Sequence, residues 1–266
     1  MKRKSVLIIA GSDSGAGAGI QADIKTFSSF KVYAATVITA LTAQNTRGVN
    51  AVLKIKSNFI DEQIKVVAED LDISYIKIGM LSDQETINTV TKSLNLYLPN
   101  IPIILDPVMV AKGGHSLLEK KSVNFLKDNL MIKSFLITPN LLEAEKILNC
   151  KIRDVDDMIK CEEKFSLLGL HNVVLKGGHL LKSKKVTDFL FNKGKIFKFC
   201  SNRINTKNTH GTGCSLASAI TANLFLGKSL KESVKISRKF VYKAIKSSYK
   251  IGNGHNPINH FVNFKS

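Results

Sequence analysis

The 266-residue chain has no tryptophan, only five prolines and only four cysteines. So little proline, without a Pro/Ser-rich tract, excludes an extended linker or a disordered composition. The cysteines, at 150, 161, 200 and 214, form no C-x-x-C pair, which excludes a disulfide scaffold or a zinc ribbon and predicts free thiols. Arginine is scarce as well: five residues (3, 47, 153, 203 and 238) among 39 basic ones. A protein built for nucleic-acid contacts should use more of the bidentate guanidinium. The formal charge of +18 therefore reads as a lysine-rich surface, with no nucleic-acid partner. Long apolar runs are missing too. Val6-Leu-Ile-Ile-Ala10 breaks at Gly11, far short of the roughly 20 residues of a membrane span. These absences predict a cytosolic protein with no membrane partner.

What remains is an ordinary globular composition, 44% hydrophobic and 23% charged. Short β-branched runs at 5–10, 32–39, 75–78, 103–105, 135–138 and 173–176 read as strands. They alternate with helical periodicity at 20–30, 59–71, 83–94, 119–130, 141–148 and 154–168. That order predicts an α/β fold with a mostly parallel sheet and crossover helices. Residues 188–191 and 195–200, flanking Asn192-Lys-Gly194, read as an edge hairpin. Two helices at 215–226 and 230–248 close the chain. Nothing marks an internal boundary, so residues 1–266 are expected to form one domain.

In such sheets chemistry collects in loops beyond the carboxyl ends of the strands. The first conspicuous loop is Gly11-Ser-Asp-Ser-Gly-Ala-Gly-Ala-Gly19. Its Gly17-x-Gly19-x-x-Ala22 fits the loosest dinucleotide fingerprint, but no acidic residue follows between Ile24 and Ile60, so a dinucleotide site is not expected. A backbone cradle for a ligand and a plain tight turn both stay open. The second loop is Thr209-His-Gly-Thr-Gly-Cys214, directly before an apolar helix. Gly211, Thr212 and Gly213 would offer consecutive amides at a helix N-terminus, a hole for the charge of a transferring phosphoryl group. There Cys214 could sit near neutrality as a base toward a substrate hydroxyl, or be a small buried thiol at a helix start.

Other polar residues lie at the strand ends. Asn140 and Glu143 could hold waters around Mg²⁺, or form a capping box with Asn in place of Ser. Lys176 would suit a triphosphate, or be a snorkelling surface lysine. His179 and His210 lack metal-ligand spacing. Gly227-Lys-Ser229 follows a helix and reads as an interhelical turn, not a P-loop.

Blocks spread over nearly the whole chain resemble a known family. They are Ala10-Gly-Ser-Asp-Ser14, Ala18-Gly-Ile-Gln-Ala-Asp23, Val37-Ile-Thr-Ala-Leu-Thr-Ala-Gln-Asn45, Lys77-Ile-Gly-Met80, Leu105-Asp-Pro-Val-Met109, Thr138-Pro-Asn140, Lys176-Gly-Gly-His179, Asn208-Thr-His-Gly-Thr-Gly-Cys214 and Asn256-Pro-Ile-Asn-His-Phe261. Together they resemble the bacterial hydroxymethylpyrimidine/phosphomethylpyrimidine kinases of thiamine biosynthesis. The resemblance implies one three-layer α/β/α ribokinase-like domain, usually a homodimer, making two ATP-dependent transfers, first to the pyrimidine alcohol and then to its monophosphate. It implies that Gln44 binds the pyrimidine edge, that Asp23 and Met80 line that pocket with Gly11, and that Gly211, Thr212 and Gly213 form the anion hole. It further implies Cys214 as the base, Lys176 and Asn140 toward ATP, and Asp106 and Glu143 near Mg²⁺. Pyridoxine, also a hydroxymethyl heterocycle, is the alternative substrate. One departure stands out: where the family commonly reads Ser-Ser-Gly-Gly-Ala-Gly, this chain has Ser14-Gly-Ala-Gly-Ala-Gly19. If Ala16 must adopt a positive φ, its Cβ is costly.

Overall fold

A computed structural model describes residues 3–110, 117–119, 121–180 and 183–263. In chain order the elements are β1 (Ser5–Asp13), α1 (Gly19–Ser29), β2 (Ala34–Asn45), β3 (Gly48–Lys54), α2 (Ser57–Asp70), β4 (Ile73–Ile78), α3 (Gln84–Tyr97), β5 (Ile103–Leu105), α4 (Ser122–Asn129), β6 (Leu136–Ile137), α5 (Leu141–Leu148), α6 (Val155–Leu167), β7 (Asn172–Leu175), β8 (Lys185–Asn192), β9 (Lys195–Asn202), α7 (Thr212–Phe225) and α8 (Leu230–Lys246). The strands form one nine-stranded sheet in the order β3-β2-β1-β4-β5-β6-β7-β8-β9. The stretch from β2 to β7 is parallel, while β3 at one edge and β8 and β9 at the other are antiparallel.

The continuous apolar run of β1 fits its place between two parallel neighbours, where both faces are buried. Its period of two divides the core. Leu7 and Ile9 face one layer with Ile60 and Ile64 of α2 and Ile87 and Val90 of α3. Val6, Ile8 and Ala10 face the opposite layer, with Ile20 and Phe27 of α1. The same split recurs further along the sheet: Leu105, Ile137 and Val173 join the first layer, whereas Ile104, Leu136 and Val174 join α7 and α8. Each such side chain contributes about 1.5–3 kcal/mol of burial free energy. α7 is buried continuously from Ser215 to Leu224, its polar Ser218, Thr221 and Asn223 hydrogen-bonded within the interior.

The expected α/β architecture is observed, with most element ends shifted by one to three residues. β3 was not foreseen, because Gly48–Lys54 is a largely exposed edge ribbon with neither clean alternation nor an apolar run. β2 accordingly runs on to Asn45 to pair with it. The helix expected at 119–130 is shorter, starting at Ser122. The β8–β9 turn places Lys193 (φ 49°) and Gly194 (φ 79°) in the left-handed region, the geometry of a tight hairpin. Gly227 (φ 78°) makes the turn between α7 and α8, and Ser229 caps α8 in a capping box with Glu232.

Candidate active site

The parallel strands deliver Asp13, Met80, Asp106, Asn140 and Lys176 to one edge of the sheet, within or just beyond the ends of β1, β4, β5, β6 and β7. Both glycine loops lie there and touch. Gly211 is left-handed (φ 79°), and a Cβ on it would overlap the Gly17 carbonyl oxygen. A Cβ on Gly17 would in turn overlap the His210 ring. Only glycine lets the two backbones meet.

The first loop is folded around its own carboxylate. Asp13 Oδ1 accepts from the Gly15 amide at 2.8 Å, and Oδ2 accepts from Gly17 at 3.1 Å and Ala18 at 2.9 Å. His210 Nε2 lies 2.9 Å from Asp13 Oδ2. Burial alone would raise the Asp13 carboxyl, but His210 and the amides of Ala18 and Gly15 more than offset it, holding it below the usual range. Ala16 does adopt φ 57°, so the penalty anticipated for its Cβ is present. The loop also grips β2: Ser14 Oγ donates to the Gln44 carbonyl at 2.8 Å and accepts from the Gln44 amide at 2.9 Å. The Gln44 side chain is half-buried between His210 and Thr42. Met80 is 8% exposed, and its sulfur would lie 2.9 Å from a Cβ on Gly11, so these two expected pocket residues are neighbours.

The second loop has no internal carboxylate of this kind; within it the Thr212 amide and hydroxyl donate to the Thr209 carbonyl at 3.4 and 2.7 Å. Gly211 caps α7 without a side-chain acceptor, and the first helical bond runs from the Ser215 amide to the Gly211 carbonyl at 2.9 Å. Gly213 faces charge: a Cβ there would lie 3.3 Å from Lys176 Nζ and 3.5 Å from Asp106 Oδ2. Lys176 Nζ donates to Asp106 Oδ1 at 2.8 Å, and Thr138 Oγ1 donates to the same oxygen at 3.0 Å. Lys176 is thus no surface lysine; its side chain is 14% exposed, and although burial disfavours the ammonium, Asp106 and Glu143 hold its pKa above the usual value.

Asn140 and Glu143 form the capping box. Asn140 Oδ1 accepts from the Glu143 amide at 3.0 Å, and Glu143 Oε2 accepts from the Asn140 amide at 2.7 Å. Burial pushes the Glu143 carboxyl up to about 7; Lys176 opposes this and Asp106 reinforces it. Two carboxylates enclosed in one corner are a fit for a divalent cation, whose charge would relieve their repulsion. Among the described residues no three His, Cys, Asp or Glu side chains form a metal cage.

Two expectations are corrected. Asp23 does not line the pocket: it is fully buried, with Oδ2 on Lys77 Nζ at 2.7 Å and Oδ1 accepting from Ser218 Oγ at 2.7 Å. It belongs to a charged layer beneath the site. Lys77 is also fully buried; burial alone would lower its pKa, but Asp23 and the other nearby anionic groups raise it above the usual value. Nor does Cys214 sit near neutrality. The residue is half-buried, yet dense surroundings dehydrate the thiol and push it up to about 12, against the pull of Lys77. Desolvation outweighs the helix terminus.

Sequence reasoning gave no role to Lys77, Asp13, His210 and His260, which the structure sets beside or beneath the candidate site. A lysine inside the buried strand β4 was the available signal, since such a charge demands a partner. The C-terminal segment also closes on the second loop. The His210 amide donates to the Asn256 carbonyl at 3.1 Å, and His260 Nε2 lies 2.8 Å from Ser215 Oγ; burial pushes that imidazole down to about 4.

A mostly parallel α/β/α sheet whose strand ends converge on an open helix N-terminus defines a ribokinase-like small-molecule kinase. Comparisons agree. A family model described as phosphomethylpyrimidine kinase matches residues 13–259. The hydroxymethylpyrimidine/phosphomethylpyrimidine kinase of Bacillus subtilis is 44% identical over 256 residues, 96% of this chain and 94% of that one. The thiamine biosynthesis bifunctional protein ThiED of Geobacter sulfurreducens is 43% identical over 98% of this chain, which spans about half (53%) of that longer protein. Among solved structures, an ADP complex of Bacillus subtilis pyridoxal kinase superimposes with a TM-score of 0.89 at 34% identity, covering 98% of both chains. The chain belongs to the phosphomethylpyrimidine kinase family.

Proposed function

We propose that this protein transfers the γ-phosphoryl group of ATP to the alcohol of hydroxymethylpyrimidine, and then a second one to the resulting monophosphate. The observation that carries the reading is the meeting at Gly213 of an open helix N-terminus, Cys214 and the Lys176–Asp106 pair. The amides at the head of α7 would take the charge that develops on the transferring group, and Lys176 would face the ATP phosphates. Asp106 and Glu143 would hold Mg²⁺ through water, and the ion would neutralise phosphate charge. Gln44 would read the heterocycle's polar edge, with Met80 and Gly11 beside it. We read the chain as one domain acting in the cytosol, as a homodimer. Among the described residues no helix is long and apolar enough to cross a membrane.

Cys214 has a narrower role in this reading than a neutral-pH base. A thiol held near 12 is a strong base once ionised and rarely ionised at pH 7. A loose phosphoryl-transfer transition state asks little of the base until late. Turnover is therefore expected to rise with pH from 7 toward 10, and Cys214→Ser is expected to lower it about 10²-fold while leaving nucleotide binding in place. A flat pH profile with unchanged turnover in the variant would remove Cys214 from the chemistry.

The likeness to a pyridoxal kinase favours one second reading, phosphorylation of a B6 vitamer. Incubating the protein with Mg-ATP and either hydroxymethylpyrimidine or pyridoxine, and resolving mono- from diphosphate, separates the two. Pyrimidine diphosphate is the expected product. Pyridoxine phosphate alone would overturn the substrate assignment, and no product from either would overturn the kinase reading.

A further inference from the structure

The direction of the Gln44 carboxamide follows from counting protons around it. Gln44 Nε2 meets His210 Nε2 at 3.1 Å, and the same imidazole nitrogen meets Asp13 Oδ2 at 2.9 Å. Asp13 already accepts from three backbone amides, the pattern of an ionised carboxylate, which can only accept. His210 Nε2 must therefore carry a proton and donate it to Asp13. A protonated Nε2 has no lone pair to receive a proton from an amide nitrogen.

A second conflict lies at the other end of the same side chain. Thr42 Oγ1 is 2.9 Å from the Ser12 carbonyl oxygen and 3.2 Å from Gln44 Oε1, yet a hydroxyl has one proton for two such acceptors. A half-turn of the carboxamide removes the donor–donor clash at His210 and leaves the Thr42 hydroxyl a single acceptor, so that the one proton shared between two acceptors is that of His210 Nε2, an attractive arrangement in place of a repulsive one. Gln44 Oε1 then shares the His210 Nε2 proton, and the Gln44 amino group donates to Thr42 Oγ1, whose own proton goes to Ser12. The two ends of a carboxamide fill nearly the same volume, so partners and not packing decide its direction.

We infer that Asp13, acting through His210, fixes the Gln44 carboxamide with its carbonyl toward His210 and its amino group toward Thr42, making both residues positioning and specificity-determining groups for the substrate's heterocycle. This rests on the reading above that Gln44 contacts that heterocycle. The carbonyl's second lone pair and the second amino proton are left for a ligand, in a fixed spatial order. An aminopyrimidine edge, with an amino donor beside a ring-nitrogen acceptor, can meet that order in one register only. A hydroxypyridine edge is less demanding, because its hydroxyl can donate or accept. The signal lies in neither loop alone: Asp13 comes from the first and His210 from the second, 197 positions apart.

Two measurements test this. In nitrogen-15 NMR of the native protein at neutral pH, His210 Nε2 is expected to be protonated, and the Gln44 amino protons to show Overhauser contacts to the Thr42 methyl group. A bare Nε2, or contacts to the His210 ring instead, overturns the inference whether or not the pyrimidine is the substrate. The second is His210→Phe, which keeps a ring against Gly17 and Pro257, removes the donor and leaves the three amide bonds to Asp13. The KM for hydroxymethylpyrimidine is expected to rise about tenfold with kcat and the KM for ATP little changed, and the preference over pyridoxine to shrink. An unchanged preference in a folded variant overturns it. Should the variant fail to fold, the NMR result decides alone.

Discussion

The two glycine loops lie side by side in different states. The first wraps three of its amides around Asp13, so an internal carboxylate already fills the anion cradle that its backbone makes. The second has no such carboxylate at its cap, and Gly213 opens toward Lys176 and Asp106. The difference is where each carboxylate is spent: Asp13 on its own loop's amides, Asp106 beside the second loop on Lys176. In the proposed reading one loop is a structural support that carries a positioning carboxylate, and the other is where incoming charge would settle.

Beneath both lies the layer that locks them together. Asp23 is on the helix that follows the first loop, Ser218 on the helix that follows the second, and they are hydrogen-bonded over Lys77. The sharpest way to break the arrangement is Lys77→Met, which strands the Asp23 charge in the interior and is expected to cost about 3–5 kcal/mol in denaturant titration. Adding Asp23→Leu should recover most of that loss, since removing both members of a buried pair is often close to neutral. If the double variant is no better than the single one, the pair is not the lock.

Gly211→Ala probes the contact between the loops directly. The positive φ adds roughly 1–2 kcal/mol and the overlap with the Gly17 carbonyl a further ~1–3 kcal/mol, read as a lowered melting temperature. A stability equal to that of the parent would mean that the loops need not touch. The smallest expected effect is a gain. Ala16→Gly relieves the left-handed alanine of the first loop at some cost in chain entropy, for a net stabilisation of about 0.5–1 kcal/mol. A loss there would show that the Ala16 methyl group has a packing role.

Much of this was legible in the sequence, for reasons that differ by element. β1, α7 and the β8–β9 hairpin announce themselves through an unbroken apolar run, a helix of small and apolar residues and an Asn-Lys-Gly turn. The edge ribbon β3 does not, because exposure leaves no hydrophobic period to read. The second loop was readable because its glycines sit directly before a helix. The roles of Asp13 and Asp23 were not, because whether a carboxylate faces a ligand or its own backbone is decided by residues far away, His210 for one and Lys77 for the other. Cys214 illustrates the same limit: its place at a helix start could be read locally, but the dehydration that raises its pKa comes from packing. For Asn140 and Glu143 the local capping box is what forms, and Glu143 alone also belongs to the enclosed carboxylate pair, with Asp106.

The central claim is that phosphoryl transfer depends on the open cradle at Gly213. Gly213→Ala places a methyl group 3.3 Å from Lys176 Nζ and 3.5 Å from Asp106 Oδ2 while leaving a helical backbone undisturbed. The most direct test is single-turnover transfer from Mg-ATP to hydroxymethylpyrimidine in this variant, with nucleotide affinity followed by calorimetry. Transfer about 10²-fold slower, with affinity changed only a few-fold, is the predicted result; transfer at the parent rate would contradict the account.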